Sequence, residues 1–306
     1  MNEPEISFIT INYNSSHYTI KLLESIQKNT SLSYEVIVID NASSLQDYDQ
    51  LLNFTSKCAH VKLVRNRINS GFAGGNMLGV NYARGKYYFF INNDTELLND
   101  CSFIFKEYFE QYPNVALATA KVKDEHGNFS SSYKLFPSVL KELLGNTLAR
   151  KLNKHHFPSN KVKLEEPSLV EVVSGSCMFF KAKDFQSIGG FDTLFFLYCE
   201  EEDISKRLWN AGKHVVFLPE AEIFHASGGS TQRSFDILKE FDISYNHLIN
   251  KHFSFFPAVI LKTLRLTKLL RRSFKSLHHF QLFLFGLSGY NNKHSLRFKQ
   301  KVVDAL

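Results

Sequence analysis

The polar triplet Asn92-Asn93-Asp94 directly follows a run of aromatic and apolar residues, Tyr87 to Ile91. Such a run predicts a buried strand whose carboxyl end delivers the triplet to the rim of a sheet. One carboxylate beside two amides offers oxygen ligands for a hard divalent cation and hydrogen-bond partners for a ribose. Asn and Asp also favour turns whatever they bind, so the triplet alone is equally compatible with a simple turn.

A second group of candidate residues lies between positions 189 and 230. The four carboxylates Glu200 to Asp203 open an amphipathic helical pattern, and the helix dipole favours negative charge in a first turn. They indicate either a solvated, well-capped helix start or a side chain that points into a cleft as a general base. His225 follows a predicted strand, Lys213 to Leu218, and precedes a Gly/Ser-rich segment, so it is either structural or a ligand.

Strand and helix patterns alternate through the first hundred residues. Apolar runs at 6–13, 34–39 and 61–64 predict strands, and helical patterns separate them from the strand at 87–91. This alternation predicts a doubly wound α/β sheet, in which ligands bind outside the carboxyl ends of the strands. The polar cluster at 40–43 stands at one such strand end.

The segment from Asn69 to Asn76 is rich in glycine and leads into a predicted helix. Without a Cβ, its backbone amides can approach a phosphate or a sugar closely. The segment matches neither the GxGxxG dinucleotide pattern nor a P-loop, which argues against a dehydrogenase or a P-loop enzyme. A tight turn before a helix is the alternative interpretation.

Residues 129–168 are basic, contain three prolines and show a helical pattern at 138–152, which indicates an excursion that forms an acceptor-side wall or lid. The core resumes in a strand pattern at 170–181, where Gly175 suggests a bulge or the close approach of a ligand.

Beyond residue 234 the pattern is helical, with a basic amphipathic stretch at 261–279. That stretch fits either binding to an anionic membrane surface or packing on the preceding domain with a solvated basic face.

The composition narrows the class of protein. With 306 residues, 44% hydrophobic and 22% charged, the chain predicts a folded domain with room for an appendage. Its 4 cysteines have no paired spacing and indicate reduced thiols in a cytoplasmic protein. A strand pattern that begins by Ile6 argues against a signal peptide, and no apolar run reaches the ~18–20 residues of a membrane span. A net charge of only +6 without a recognised nucleic-acid-binding fold argues against a nucleic-acid partner.

Taken in order, these motifs resemble the family 2 inverting glycosyltransferases of the GT-A fold, and most of all the subgroup that includes bacterial rhamnosyltransferases. The resemblance covers roughly residues 5 to 232. Each motif alone is weak, and their order makes the match specific. The matching segments are 7–14, 38–43, 69–76, 90–95, 189–192, 195–203 with Arg207, and Pro219-x5-His225-x2-Gly228-x-Ser230.

The resemblance implies an α/β fold of the GT-A nucleotide-diphospho-sugar transferase type, with a mostly parallel central sheet flanked by helices. The catalytic domain would span 1–232, with a nucleotide-binding half at 1–100 and an acceptor and catalytic half at 101–232 that contains the excursion at 129–168. Residues 233–306 would form a basic, helical C-terminal extension.

The resemblance also implies roles for individual residues of this sequence. Asp94 and His225 would bind Mg2+ or Mn2+ at the donor diphosphate. Glu201 would be the catalytic base, with Glu200 as the alternative. The nucleotide and donor would contact Thr10, Asn12, Asp40, Asn41, Gly71, Gly74, Asn76, Asn92 and Asn93. The acceptor side would include Gly175, Asp192, Tyr198 and Arg207.

The sequence departs from the family pattern in ways that matter for function. Amides replace the first carboxylates of the DxD motif at 92–94, so metal binding would depend more on Asp94 and on His225. Glu201 is one methylene longer than the usual Asp. Arg207 is followed by Leu208, so the QxxRW signature of processive enzymes is absent, which implies the addition of one or a few sugars.

The expected function is a metal-dependent, inverting, non-processive glycosyltransferase of bacterial surface-polysaccharide biosynthesis. Its donor would be dTDP-rhamnose or a UDP-sugar, and its acceptor a glycan or a polyprenyl-diphosphate-linked sugar. The protein would be cytoplasmic, with peripheral binding to the inner face of the membrane as one interpretation of its C-terminal helices. The alternative is a catalytically silent sugar-nucleotide or glycan-binding module, and a nucleotidyltransferase is disfavoured because the first strand-helix turn lacks a basic Gly-rich signature.

Overall fold

The computed structural model describes residues 3–153, 155, 157–159, 164–226 and 234–303. The strands are β1 Ile6–Asn12, β2 Tyr34–Asn41, β3 Val61–Asn66, β4 Tyr87–Ile91, β5 Thr95–Leu97, β6 Val115–Lys123, β7 Phe129–Ser130, β8 Tyr133–Lys134, β9 Ser168–Leu169, β10 Val172–Val173, β11 Cys177–Lys181 and β12 His214–His225. The helices are α1 Ser16–Asn29, α2 Leu45–Thr55, α3 Gly71–Val80, α4 Cys101–Gln111, α5 Val139–Leu152, α6 Ala182–Ser187, α7 Glu200–Asn210, α8 Phe235–His252, α9 Phe255–Ser273 and α10 Leu277–Leu287. Short 3-10 helices follow at Asn292–His294 and Leu296–Lys299.

One twisted sheet organises the described residues, in the order β3-β2-β1-β4-β11-β6-β12-β5. Strands β3, β2, β1 and β4 run parallel, and β6 is parallel to β12. Strand β11 lies antiparallel between β4 and β6, and β5 lies antiparallel to β12 at the edge. Because the first four strands are parallel, their carboxyl ends meet along one edge, as the sequence predicts.

Helices cover both faces of the sheet, which explains the near-continuous apolar strands. Successive strand residues point to opposite faces, so Phe8 and Phe89 pack with α1, α2 and α4 while Ile9 and Phe90 pack with α3, α6 and α7. All four side chains are fully buried. The prediction of an α/β architecture with a mostly parallel sheet is therefore confirmed.

Several predicted boundaries are wrong. The strand expected at 170–181 is divided into β10 and β11, because the backbone between them bonds elsewhere: the Ser174 amide donates to Ser132 and the Asn92 amide to Ser176. The helix expected at 261–279 is two helices, α9 and α10. Helix α5 begins as predicted but breaks at Gly145, whose φ of 79° lies in the left-handed region that glycine favours.

The C-terminal helices pack against the preceding domain. On α8, the ammonium of Lys251 lies 2.6 Å from Asp192 and 2.8 Å from Asp203. Helix α9 contacts α5 through an ion pair between Lys268 and Glu142. After α10, a strap (residues 292–303) crosses back to the sheet, where Val302 bridges to Ile68.

Candidate active site

Asp94 and His225 meet at the carboxyl edge of the sheet. Strand β12 continues past the predicted end at Leu218 to His225, and a register shift around Pro219 accommodates the missing N–H. In the β5–β12 ladder His225 lies opposite Thr95, next in sequence to Asp94. As a result the Nε2 atom of His225 lies 3.2 Å from Oδ1 of Asp94.

This pair fits a divalent cation. Neighbouring ligands of an octahedral ion with bonds of ~2.1 Å lie about 3 Å apart, close to the separation of these two atoms. Within the described ranges, no cluster of three or more His, Cys, Asp or Glu side chains forms a complete metal site. Water and substrate phosphates commonly supply further ligands of Mg2+. Gly228 and Ser230 of the sequence motif lie outside the described residues.

A cavity of about 410 Å3 opens beside this edge. Among the predicted donor-binding residues, its lining includes Asn41, Gly71, Asn76, Asn92 and Asn93. Among the described residues, the lining consists of amide, hydroxyl, aromatic and aliphatic side chains, and the phenol of Tyr13 is the one ionisable group among them. A neutral, amide-rich cavity suits a nucleoside and a sugar, whereas a diphosphate would need a cation to neutralise its charge.

Asn41 holds the glycine segment in place. Its Nδ2 donates to Asn69 and to the carbonyl of Gly71, at 2.9 and 3.2 Å, and its Oδ1 accepts from the amide of Ser70 at 3.1 Å. Asn76 in turn donates to the carbonyl of Phe72 at 3.1 Å. Gly74 does not line the cavity, since a Cβ there would contact Ser70.

Gly71 lies between this cavity, named the donor cavity after the ligand expected there, and the segment before α7. Its φ is 75°, and a Cβ at this position would lie 2.0 Å from the carbonyl oxygen of Phe196. The next amide, of Phe72, donates to that same oxygen at 2.7 Å. The absence of a side chain at residue 71 therefore sets the position of residues 196–199 relative to the cavity.

We expect Gly71→Ala to lower the free energy of unfolding by about 3 kcal/mol, from the unfavourable φ and the clash with a backbone carbonyl. Gly127→Ala is the matched control, because Gly127 has the same φ of 75° and no atoms within 4 Å of its added Cβ. It is expected to lose only about 1 kcal/mol. Urea denaturation measures both, and equal losses would show that the contact with Phe196 does not constrain the segment.

Thr10, Asn12 and Asp40, expected to contact the nucleotide, lie beneath the cavity and do not line it. All three are almost completely buried. The amide of Asn12 donates to Asp40 at 3.1 Å and to Asp47 at 2.8 Å. The side chains of Asn12 and Asp40 bond within the protein, whereas the buried hydroxyl of Thr10 has no hydrogen-bond partner among the described residues.

The side-chain amide of Asn93 bonds to helix α1 and its cap residue, and not to Asp94 or His225. Its Nδ2 donates to the Ser15 hydroxyl at 2.7 Å and to Thr19 at 3.0 Å. The Ser15 side chain makes no cap bond to α1, and the first amide of that helix, of Ser16, donates to Asp47 at 2.9 Å. Asn93 thus fixes the turn that presents Asp94.

The two residues before α7 have positive φ angles, which residues other than glycine rarely adopt. Tyr198 and Cys199 have φ angles of 72° and 70°, and each such residue costs about 1–3 kcal/mol. The carboxylates of Glu200, Glu202 and Asp203 are buried after this turn. The interpretation of this stretch as a solvated helix start is therefore wrong.

The side chain of Glu201 is 13% exposed, close to the 10% of Glu202. Its Oε1 accepts from the ammonium of Lys134 at 3.0 Å, and the same ammonium lies 2.5 Å from Glu202. Burial alone would lower the pKa of Lys134, but the Glu201 and Glu202 carboxylates outweigh burial and raise it. A carboxylate held beside a charged ammonium, and still reachable, can accept a proton from a hydroxyl.

The two flanking glutamates hold protons more tightly than usual. Burial, reinforced by the Glu201 carboxylate, raises the pKa of Glu200 well above its ordinary range. The same two causes raise the pKa of Glu202, although Lys134 opposes them. A raised pKa makes a carboxylate a stronger base once it is ionised, so Glu200 stays the alternative to Glu201.

We expect the free energy of unfolding to fall as pH rises from 5 to 8, in part through Glu200. In this window the folded state keeps the Glu200 proton longer than the unfolded chain does, so folding loses stability as the proton leaves. Glu200→Gln is expected to make the free energy of unfolding depend less steeply on pH in this window. Glu220→Gln, an exposed position on β12, should leave the slope unchanged, and a slope unaltered in Glu200→Gln would contradict the assignment.

Two of the residues expected on the acceptor side are engaged within the protein. Arg207 donates to Asp203 at 2.7 Å and to the carbonyls of Ile188 and Gly190 at 2.6 Å. Asp192 accepts from Lys251 at 2.6 Å. Arg207 therefore ties α7 to the segment at 188–190, and Asp192 ties the following turn to α8.

Gly175 and Tyr198 lie nearer to the two candidate sites. A Cβ at Gly175 would be 3.6 Å from the ring of Phe72, which lines the donor cavity. Tyr198 precedes α7, and its ring centroid is 5.8 Å from that of Phe241. Contact of any of these acceptor-side residues with an acceptor stays a prediction.

The donor cavity also has a wall that the sequence analysis misses. Ile237 of α8, with Leu296 and Gln300 of the strap, completes its lining. The strap is anchored by Glu240, which accepts from the Leu296 amide at 2.7 Å, and by the Val303 amide, which donates to Arg67 at 2.8 Å. The segment has neither helical nor strand periodicity, so no sequence signal places it there.

Comparison with known proteins identifies relatives. A family model described as Glycosyl transferase family 2 matches residues 7–189. The rhamnosyltransferase WbbL of Escherichia coli (strain K12) is 27% identical over 229 residues, which cover 72% of this chain and 82% of WbbL. The N-acetylglucosaminyl-diphospho-decaprenol L-rhamnosyltransferase of Mycobacterium tuberculosis (strain ATCC 25618 / H37Rv) is 27% identical over 161 residues, 51% of this chain and about half (52%) of that protein.

A solved structure shares the architecture. The mannosyltransferase PcManGT from Pyrobaculum calidifontis, in complex with GDP-Man and Mn2+, superposes with a TM-score of 0.56 and 14% identity, covering 94% of this chain and 81% of that one. At this identity the likeness shows the fold. The expected GT-A fold is thereby confirmed.

Proposed function

This chain belongs to glycosyl transferase family 2 and is a glycosyltransferase, and we propose that it transfers rhamnose or a similar hexose with inversion from a nucleotide-diphosphate donor. The acceptor is a hydroxyl of a glycan or of a lipid-linked sugar in surface-polysaccharide biosynthesis. The observation that carries the proposal is the Asp94–His225 pair beside a neutral, amide-rich cavity. The names of the relatives, both rhamnosyltransferases, support the choice of sugar.

Each part of the site has a role in this proposal. Asp94 and His225 hold Mg2+ or Mn2+, which when bound neutralises the charge of the leaving nucleotide diphosphate. Asn41 and the glycine segment position the nucleoside and sugar in the cavity. Glu201 accepts the proton of the acceptor hydroxyl as that oxygen attacks the anomeric carbon. A single displacement inverts that carbon.

The test of the proposal is donor turnover in the full chain. dTDP-rhamnose and common UDP- and GDP-sugars are offered with Mn2+ or Mg2+, and nucleotide release and donor binding are measured. Metal-dependent release from one donor is the expected result. Binding without turnover, in the presence of an acceptor, would instead favour a silent sugar-nucleotide-binding module, which the amides at Asn92 and Asn93 motivate.

The C-terminal helices offer a surface for peripheral membrane binding. Among the described helices, none is both long enough and apolar enough to span a bilayer. The side chains of Phe255, Phe256 and Phe274 are 74%, 77% and 85% exposed, beside the basic residues of α9. Exposed aromatic residues with adjacent Lys and Arg are typical of helices that bind anionic membrane surfaces, and a lipid-linked acceptor would make that docking useful.

Replacing Phe255, Phe256 and Phe274 together by serine is expected to weaken sedimentation with anionic vesicles by at least tenfold, because each buried ring contributes about 1.5–3 kcal/mol. Phe103→Ser, at an exposed phenylalanine of α4, is the matched control. Substitution is preferable to truncation after Ser254, which would also remove the strap from the donor cavity. Unchanged sedimentation of the triple variant would exclude these helices as the membrane contact.

A further inference from the structure

Two adjoining cavities lie on the other side of the acidic helix start. One of about 200 Å3 lies between α5, the start of α7, and α8 and α9, and one of about 60 Å3 lies along α5. They share Lys134, Leu135 and Lys141 in their walls. The larger cavity also contacts Cys199 and Glu202, so it lies directly beside the proposed base, Glu201.

The walls carry an excess of positive charge. Among the described residues, the two cavities are lined by five cations and by the carboxylates of Glu142 and Glu202; the cations are Lys134, Lys141, Arg150, Arg265 and Lys268. Three of the cations have carboxylate partners: Lys134 pairs with Glu201 and Glu202, Lys268 with Glu142, and Arg265 with Asp242.

Lys141 and Arg150 are different. No carboxylate in the described ranges forms an ion pair with either, and the ammonium of Lys141 donates to the carbonyl of Leu135 at 2.8 Å. Burial lowers the pKa of Lys141, as expected for a cation without a close counter-ion. A partly buried cation of this kind is stabilised by an anion that enters the cavity.

The surroundings favour an anion attached to a lipid. Helix α5, which carries Lys141 and Arg150, exposes Leu143, Leu144, Leu148 and Leu152, and α9, which carries Arg265 and Lys268, exposes Val259 and Ile260. Cations in a cavity, on helices that also expose apolar side chains, suit an anion that is attached to a hydrocarbon chain.

We propose that Lys141 and Arg150 bind the diphosphate of a polyprenyl-diphosphate-linked acceptor, and that the two cavities between α5, α7 and α9 are its binding site. The proposal rests on the proposed transferase function. In this arrangement the diphosphate is anchored on one side of Glu201, the acceptor hydroxyl faces the base, and the donor occupies the separate cavity lined by Asn41 and Asn92.

The test compares Lys141→Gln and Arg150→Gln with Lys151→Gln, an exposed position on the same helix that lines neither cavity. Two acceptors are used: a sugar on a short-chain polyprenyl diphosphate, and the same sugar as a methyl glycoside. We expect KM for the diphosphate acceptor to rise about tenfold or more in each cavity variant, from the loss of a charge-assisted bond. KM for the glycoside, and all values for Lys151→Gln, should stay at the wild-type level. An equal rise for both acceptors, or no rise, would overturn the proposal.

Binding measurements separate this site from the proposed function and from other anions. Calorimetry with inorganic pyrophosphate should detect binding to the wild type and a loss of about tenfold in the cavity variants, even in a preparation without turnover. Vesicles of phosphatidylglycerol should sediment wild type and variants equally. A matching loss on those vesicles would identify a phospholipid head group as the ligand and overturn the acceptor assignment. Pyrophosphate binding without transferase activity would reject the proposed function alone.

Discussion

Replacing Asp94 by alanine is expected to lower kcat/KM for the sugar donor by about three orders of magnitude. The described walls of the donor cavity carry no charged side chain, so in the proposed function a cation at Asp94 and His225 neutralises the diphosphate. Loss of that charge stabilisation amounts to several kcal/mol in the transition state. The rate of nucleotide release with saturating Mn2+ measures the effect.

Metal binding gives a second measurement of the same variant. Mn2+ should strengthen nucleotide-diphosphate binding to the wild type in calorimetry and leave Asp94→Ala almost unaffected. Asp49→Asn, an exposed carboxylate of α2, is the control for the loss of one negative charge. Full Mn2+-dependent turnover in Asp94→Ala would refute the assignment of this carboxylate as a metal ligand.

Replacing Glu201 by glutamine is expected to lower kcat by about 10²–10⁴-fold, the range of a lost general base. Glutamine keeps the size and the hydrogen-bonding oxygen but cannot take the acceptor proton. Donor binding should be unchanged, because Glu201 does not line the donor cavity. Glu201→Asp, which shortens the side chain by one methylene, is expected to recover part of the activity.

Glu200→Gln decides between the two candidate bases. Burial and the adjacent Glu201 favour the protonated form of Glu200, and a glutamine imitates that form. We therefore expect Glu200→Gln to retain most of the wild-type kcat. The opposite pattern, with activity lost at 200 and kept at 201, would transfer the role of the base to Glu200.

The sequence by itself determines the central fold and the residue types at its edge. Apolar runs such as Tyr87 to Ile91 specify buried parallel strands because only a sheet covered on both faces buries every side chain. The polar residues after each run mark the carboxyl edge, and Asp94 is predictable there because the strand signal stops abruptly before it. These signals are local, so they can be identified without contacts between distant residues.

The tertiary structure alone decides which of those polar residues face a ligand. Asn12, Asp40 and Asn41 all lie at strand ends in the sequence. The buried side chains of Asn12 and Asp40 bond to each other, whereas Asn41 lines the cavity. The pairing of β5 with β12 places His225 beside Asp94, and a strap without periodicity brings Gln300 to the donor cavity. Each arrangement depends on contacts between segments far apart in the chain, and local sequence patterns contain no information about such contacts.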